Sequence, residues 1–419
     1  MVHFDHQMHQ ISSIILYILA FISTYVQVVF LITFLEKRKE IKKREGITEL
    51  RSFPGVTIMV PAWNEETTLR GTVESLLALD YPADKLSIFL VDDGSTDGTW
   101  KIMQEFNTHP QIKLITKENG GKHTAVNLGL EQATTPFVGC LDSDSFVDAQ
   151  ALRRIMTYFE KDSRTMAVCP SIIVNKPKGM MQIIQRVEYD WAVFRKKILG
   201  ILNANYVTPG PFSIYKKEVF EKIGYFRAAH NTEDMEIAFR MQSNHMKIEQ
   251  CEDAFVYTTV PDTVKKLYKQ RLRWIYGFIM NAWDYRGIMF KKKYGAFSMF
   301  SVPAGVISIV AAPYLLSLFV FNTAVAASKN IERISATGFD FGLGGFDAFY
   351  VSTSSNTFVL IFMYAILVIA MIIGRKMVTG RYGLDRYTIP FMIIFSAVAP
   401  FWIMKAIYNS ITRKAVAWR

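Results

Sequence analysis

Leu86-Ser-Ile-Phe-Leu-Val-Asp-Asp-Gly-Ser-Thr-Asp-Gly98 is an apolar run that stops abruptly in acidic and glycine-rich residues. Only Ser87 interrupts its first six apolar positions, the pattern of a strand buried on both faces. Asp92-Asp93-Gly94 favours a bend, and residues 99–107 then carry a helical pattern. The same order recurs upstream, where the β-rich run 56–60 ends at Pro61 and residues 65–79 place Leu69, Val73, Leu76 and Leu77 at helical spacing. Downstream, a strand at 112–116 leads through Gly120-Gly121 into a helix at 122–132, and a strand at 137–141 ends in Asp142-Ser143-Asp144. Alternating strands and helices predict an α/β fold with a mostly parallel, doubly wound sheet. Ligands bind such sheets at the carboxyl ends of the strands. The polar segments 61–65, 92–97, 120–122 and 142–144 each follow a strand, so four tips are expected to share one crevice.

Outside this region the chain changes character. Uncharged apolar runs occupy residues 11–35, 297–327, 357–374 and 389–404, and crossing a bilayer as a helix takes about 20 residues. No Lys or Arg precedes the first run and no small-residue cleavage site follows it, so it is expected to be an anchor rather than a secretory signal. Glu36-Lys-Arg-Lys-Glu-Ile-Lys-Lys-Arg-Glu45 comes next, a basic cluster that the positive-inside rule places in the cytoplasm. Lys291–Lys293, Arg375, Lys376, Arg381 and Arg386 put the later flanks inside too, and the loop 328–356 then falls outside. The last run starts inside and is followed by basic Arg413, Lys414 and Arg419, which conflicts with simple alternation. Pro400 permits a re-entrant hairpin there, so three or four spans are expected. The expected organisation is an anchor at 1–36, a soluble α/β domain at 50–262, an amphipathic interface region at 263–295 and a membrane region at 296–419. The net charge of +11 sits largely beside membrane segments, which points to membrane lipid rather than nucleic acid as partner. Cys140, Cys169 and Cys251 lack metal-like spacing, and their expected cytoplasmic setting keeps them reduced.

Several polar motifs carry possible chemistry. Asp142-x-Asp144 closes a buried strand with two carboxylates directed to the same end of the sheet, which suits Mg²⁺ or Mn²⁺ bridging to phosphate oxygens; its plain alternative is a capped turn. Asp92-Asp93 reads either as turn chemistry or as acceptors for a base N–H or ribose hydroxyl. Lys122, at a helix start, adds positive charge for a diphosphate or is a solvated surface lysine. Thr232-Glu233-Asp234 precedes a helical stretch and is also an ordinary helix start. Gln270-Arg-Leu-Arg273-Trp274 lies on the basic amphipathic stretch 263–285, which reads as an interfacial helix or as a phosphate clamp with a flat face for a sugar.

In this order, followed by membrane spans, the motifs make the chain resemble the processive family 2 glycosyltransferases: the cellulose, chitin, hyaluronan and poly-N-acetylglucosamine synthases. The resemblance covers nearly the whole chain. It implies a cytoplasmic GT-A (Rossmann-like) domain with transmembrane and interfacial helices, in the plasma membrane. It implies that Asp92 and Asp93 bind uridine, that Lys122, Asp142, Asp144 and Arg273 bind the donor diphosphate with the metal on Asp142 and Asp144, and that Asp234 is the general base. Glu233, Gln270 and Trp274 then lie at the acceptor, and Thr208-Pro-Gly-Pro-Phe-Ser-Ile-Tyr215 loosely resembles an acceptor-lining segment.

The expected chemistry is inverting transfer from a UDP-sugar, N-acetylglucosamine foremost, to a growing β-linked polysaccharide, with translocation through the membrane helices and an accessory exporter or homo-oligomer as possible partner. The alternatives are a non-processive transferase and a catalytically silent membrane binder. Intact Asp144, Asp234 and Arg273 argue against the silent reading. Trp63 stands where many relatives have Tyr, and the absence of an added regulatory domain disfavours cellulose. Trp418-Arg419 resembles a hyaluronan synthase tail.

Overall fold

The computed structural model describes residues 2–338 and 355–414. The Trp418-Arg419 pair and residues 339–354 of the expected outer loop lie outside the described residues. Eight strands form one sheet: β1 (Val56–Ala62), β2 (Leu86–Asp92), β3 (Ile112–Thr116), β4 (Phe137–Cys140), β5 (Ser145–Val147), β6 (Thr165–Val174), β7 (Ile214–Lys216) and β8 (Lys247–Thr258), in the order 3-2-1-4-7-6-8-5. Strands β3, β2, β1 and β4 are parallel, as expected. The sheet then becomes mixed: β7 runs antiparallel to β4 and β6, β6 and β8 are parallel, and β5 is antiparallel to β8.

Among the described residues twelve α-helices accompany the sheet: α1 (Val2–Arg44), α2 (Leu69–Leu77), α3 (Thr99–Gln104), α4 (Lys122–Gln132), α5 (Ala151–Lys161), α6 (Met180–Ile201), α7 (Glu218–Ile223), α8 (Glu233–Ser243), α9 (Val264–Asp284), α10 (Val302–Thr337), α11 (Ser355–Thr379) and α12 (Thr388–Ile411). The two-residue period of the strands divides the side chains between two cores. Val56, Ile58, Val60 and Ala62 of β1 meet α2 and α5, whereas Met59 faces the opposite core with Ala125 and Val126 of α4 and Ile237 and Met241 of α8. Leu86, Ile88 and Leu90 of β2 join the first core, and Phe89 and Val91 the second. Buried on both faces, β1 and β2 therefore read as continuous apolar runs.

Among the described residues four helices are long and apolar enough to span a membrane: 12–44, 297–336, 357–379 and 388–411. The chain is a membrane protein on this composition. Helix α10 runs to Thr337, so the first part of the expected loop 328–356 is helical instead. Helix α12 is continuous through Pro400; the hairpin that Pro400 permits is not formed, because a single proline removes one intrahelical bond and a neighbouring helix can cover the gap.

Two helices tie the sheet to this region. Helix α6 packs on β6 and β8 with one face and on α11 with another. A Cβ at Gly374 of α11 would meet the Asp190 backbone oxygen at 2.5 Å, so only glycine allows this close crossing. Arg186 of α6 pairs with Asp385, beyond α11, at 2.5 Å. Toward the sheet, Lys197 of α6 is almost fully buried and pairs with Glu252 of β8 at 2.6 Å. Lys197 also donates to Tyr158 OH at 2.9 Å and to the Gln250 carbonyl at 3.1 Å. Because removing one partner of a buried pair strands the other charge, Lys197→Met is expected to lower stability by about 3–5 kcal/mol, and adding Glu252→Leu to recover much of that loss. Thermal unfolding of the detergent-solubilised variants measures both effects.

Candidate active site

The predicted tips converge. Asn64 after β1 donates its backbone N–H to the Ser95 hydroxyl oxygen (3.1 Å), and its side-chain oxygen accepts from Thr96 N–H (2.8 Å). Asp92 and Asp93 are almost fully buried, and their carboxylates are engaged by the protein itself. Asp92 accepts from Ser95 N–H and Thr116 Oγ1. Asp93 accepts from Lys117 Nζ at 2.7 Å and from the Gly120 and Gly121 N–H groups at 3.0 and 2.9 Å. Asp93 thus fixes the glycine turn that opens α4, where Gly121 has φ 89°, a conformation available at little cost only to glycine.

That turn sets the position of Lys122. Its ammonium lies 2.5 Å from Asp142 Oδ1 and 3.3 Å from Glu233 Oε1, which joins the end of β4 to the start of α8. Burial works against the charged lysine, but Asp142 and Glu233 outweigh it and raise its pKa well above the ordinary value. The Lys122–Asp142 contact is ionic rather than directional, since the buried Asp142 Oδ1 accepts no hydrogen bond of good angle. Burial and the neighbouring carboxylates of Asp142 and Glu65 push Asp144 up to about 6. Two crowded carboxylates, with Asp144 raised by burial and by Asp142, fit a hard divalent cation that would relieve their repulsion. Among the described residues no cluster of three His, Cys, Asp or Glu side chains completes a metal site, so phosphate oxygens and water would supply the remaining ligands. Gly210 closes this corner: a Cβ there would collide with Lys122 Nζ and crowd both Asp142 oxygens.

Asp234 stands in the first turn of α8. Burial, then the adjacent Glu233, push its carboxyl up to about 6 against the opposing pull of Lys122 and Arg273. Its backbone oxygen accepts from Thr208 N–H (3.0 Å) and Thr208 Oγ1 (2.9 Å). The preceding residues Ala229, His230 and Asn231 all have positive φ, at 32°, 57° and 60°, a costly run for non-glycine residues. Contacts with α9 hold it in place. Arg273 Nη1 donates to the Asn231 carbonyl at 2.9 Å, and His230 bonds Asp284 at 2.9 Å. Asn281 Nδ2 donates to Thr232 Oγ1 at 3.1 Å, and Gly277 has no room for a Cβ beside Thr232.

The structure therefore brings Lys122, Asp142, Asp144, Glu233, Asp234 and Arg273 into one electrostatic neighbourhood. Gln270 and Trp274 follow on the same helix α9; Gln270 Oε1 is buried and accepts no hydrogen bond, and Trp274 is half-buried. Sequence reasoning missed Lys117, Gly277 and Asn281, and it quoted Gly210, Thr232 and Arg271 within motifs without giving them roles of their own. Gly277 carried a signal, since a glycine inside a helix costs about 1 kcal/mol relative to alanine and so calls for a packing reason. The others look like ordinary turn or surface residues until the chain is folded.

Residues 54–277, more than half of the chain, match the family described as glycosyltransferase like family 2, and the chain belongs to that family. It is a glycosyltransferase with a GT-A-type mixed sheet. Among curated relatives it is 26% identical to the poly-beta-1,6-N-acetyl-D-glucosamine synthase of Staphylococcus epidermidis over 86% of this chain and 85% of that one. It is 28% identical to the enzyme of the same name from Staphylococcus aureus strain COL, over 58% of each chain. Among solved structures it resembles a mannosyltransferase of Pyrobaculum calidifontis, in complex with GDP-Man and Mn²⁺, with a TM-score of 0.57 and 19% identity over 94% of this chain and 99% of that one.

The contact between α8 and α9 decides where Asp234 sits relative to Arg273. Gly277→Leu is expected to lower transferase turnover by at least about a hundredfold, the penalty of an ångström-scale misplacement, with circular dichroism unchanged.

Proposed function

We propose that the chain is a processive, inverting synthase that transfers N-acetylglucosamine from UDP-N-acetylglucosamine to a growing β-linked polysaccharide and moves the product across the membrane. The observation that carries this reading is the placement of Asp234. Its carboxyl lies within the electrostatic reach of Lys122, itself paired with Asp142 and Glu233, and of Arg273 on the helix that also bears Gln270 and Trp274. Two relatives named as poly-N-acetylglucosamine synthases support the choice of sugar. The catalytic domain spans 50–262 and faces the cytoplasm, where UDP-sugars are available. Residues 1–36 anchor it, 263–295 lie at the interface, and 296–419 form the membrane region.

In this reading Asp92 and Asp93 shape the uridine pocket through the loops they hold. Lys122 and Arg273 hold the diphosphate, and Glu233, Gln270 and Trp274 face the acceptor. Asp234 takes the proton of an acceptor hydroxyl as that oxygen bonds to the anomeric carbon. The bond from that carbon to the diphosphate oxygen breaks on the opposite face, the electron pair leaves with UDP, and an α-linked donor gives a β-linkage. Mg²⁺ or Mn²⁺, held by Asp142 and Asp144, would neutralise charge on the departing diphosphate. Arg273 and Lys122 add positive charge to the same oxygens. No covalent intermediate is required, because the base acts on the acceptor rather than on the donor.

A base held at about 6 is deprotonated at neutral pH and protonated below. Turnover is therefore expected to fall as pH drops through about 6, with unit slope on the acid limb, and Asp234→Asn to abolish transfer while UDP binding persists. Unchanged turnover in that variant would remove Asp234 from its role. UDP release by reconstituted protein, assayed across UDP-sugars with Mg²⁺ or Mn²⁺ and with products sized on a gel, tests the whole reading. Release with UDP-N-acetylglucosamine and a high-molecular-weight product is the expected result; a single-addition product points instead to a non-processive enzyme, and no release with any sugar points to a silent binder or a missing partner.

A further inference from the structure

Arg271 lies between the family-like positions Gln270 and Arg273 and has no role in the mechanism above. It is nevertheless among the few nearly buried arginines, 8% exposed. Its Nη2 donates to Glu188 Oε2 of α6 at 2.8 Å. Its guanidinium lies over the Trp274 ring, 4.3 Å from the ring centroid. An arginine held so closely by a carboxylate and an indole has one orientation, and each contact restricts the other two groups. Planarity matters here: a guanidinium can form the ion pair at its edge while its face covers the ring. With Arg271 over one face of Trp274 and the residue half-buried, a sugar ring that stacks on this indole would use the opposite face.

The partner residue comes from α6, not from the helix that carries the motif. Glu188 sits two residues before Asp190, the point at which α6 crosses Gly374 of α11, and two residues after Arg186, which pairs with Asp385. The Trp274 ring is thereby referenced to the helix that joins the catalytic sheet to the membrane region. An indole left to its own rotamers would have to be ordered anew each time the acceptor moves by one sugar; a fixed ring offers the same surface after every step, and the ordering cost is removed from acceptor binding.

We propose that Glu188 and Arg271 are positioning residues for the acceptor: together they hold Trp274 as a fixed platform and so set how firmly the growing chain is retained between additions. This rests on the reading of Trp274 as an acceptor-facing ring. The pair does not touch the reacting atoms, and its removal should act on acceptor affinity and product length more than on donor affinity.

The test uses full-length protein in lipid nanodiscs with UDP-N-acetylglucosamine, Mg²⁺ and a short β-1,6-linked N-acetylglucosamine oligosaccharide as acceptor. Glu188→Gln and Arg271→Met are each expected to raise the acceptor KM about tenfold, a loss between those of an exposed and a desolvated cation–π contact. Both should also shorten the polymer, with the donor KM changed less than about twofold. Arg271→Lys, which keeps a cation for Glu188 but loses the flat stack, should fall between wild type and Arg271→Met. A uniform fall in kcat with both KM values unchanged, or a parallel rise of both KM values, would overturn the proposal, because either marks a general structural role. Trp274→Phe separates the two readings. If it leaves acceptor KM unmoved, the platform and the pair fall together; if it raises acceptor KM while Glu188→Gln does not, only the pair is wrong.

Discussion

Glu65, Asp142, Asp144, Glu233 and Asp234 place their carboxylates near one another at the end of the sheet, where burial and mutual repulsion push Asp144 and Asp234 toward the neutral form. Lys122 is the cation that makes this crowding tolerable, since it bridges Asp142 and Glu233 and so joins two segments far apart in sequence. The rest of the site is arranged around that contact. Asp93 shapes the glycine turn that aims Lys122, and Gly210 leaves the space it occupies. An excess of buried negative charge costs stability in the empty protein and is offset when a divalent cation, alone or carried in with a diphosphate, arrives. In the proposed reading the crowding serves binding and catalysis rather than folding.

Helix α9 connects this electrostatic centre to the membrane region. Its polar side fixes the left-handed run 229–231 through Arg273 and Asp284 and buttresses Thr232 through Gly277 and Asn281. Its apolar side packs against α12 through a cluster that includes Tyr268, Phe278, Trp402 and Ile403. The backbone strain before Asp234 is therefore held by the same helix that carries Gln270 and Trp274. If Asp234 is the base and Trp274 the acceptor platform, as proposed, they stand on mutually braced elements that keep their geometry through repeated cycles.

The connection of catalytic domain to membrane helices also runs through α6. Its buried Lys197–Glu252 pair locks it to β8, and its contact with Gly374 brings it against α11 at a distance that only glycine permits. Because packed cores transmit displacement rather than absorb it, α6 holds the sheet and the membrane region in one frame.

Much of this was legible in the chain itself. Strands β1 to β4 and the helices between them followed from apolar runs ended by turn residues, because a parallel sheet covered on both faces must be written as continuous apolar sequence. Four motifs in the right order identified the family. The second half of the sheet was not legible: β5 and β7 are only three residues long, and their pairing is decided by partners distant in sequence. Nor did Asp92 and Asp93 reveal that their carboxylates are engaged by the loops around them, or Pro400 that its helix continues. Residue type and order determine which chemistry a chain can perform. Which lysine meets which carboxylate, and which glycine leaves room for it, is decided only when segments a hundred residues apart are packed together, because ion pairing and steric exclusion depend on distance in space and not along the chain.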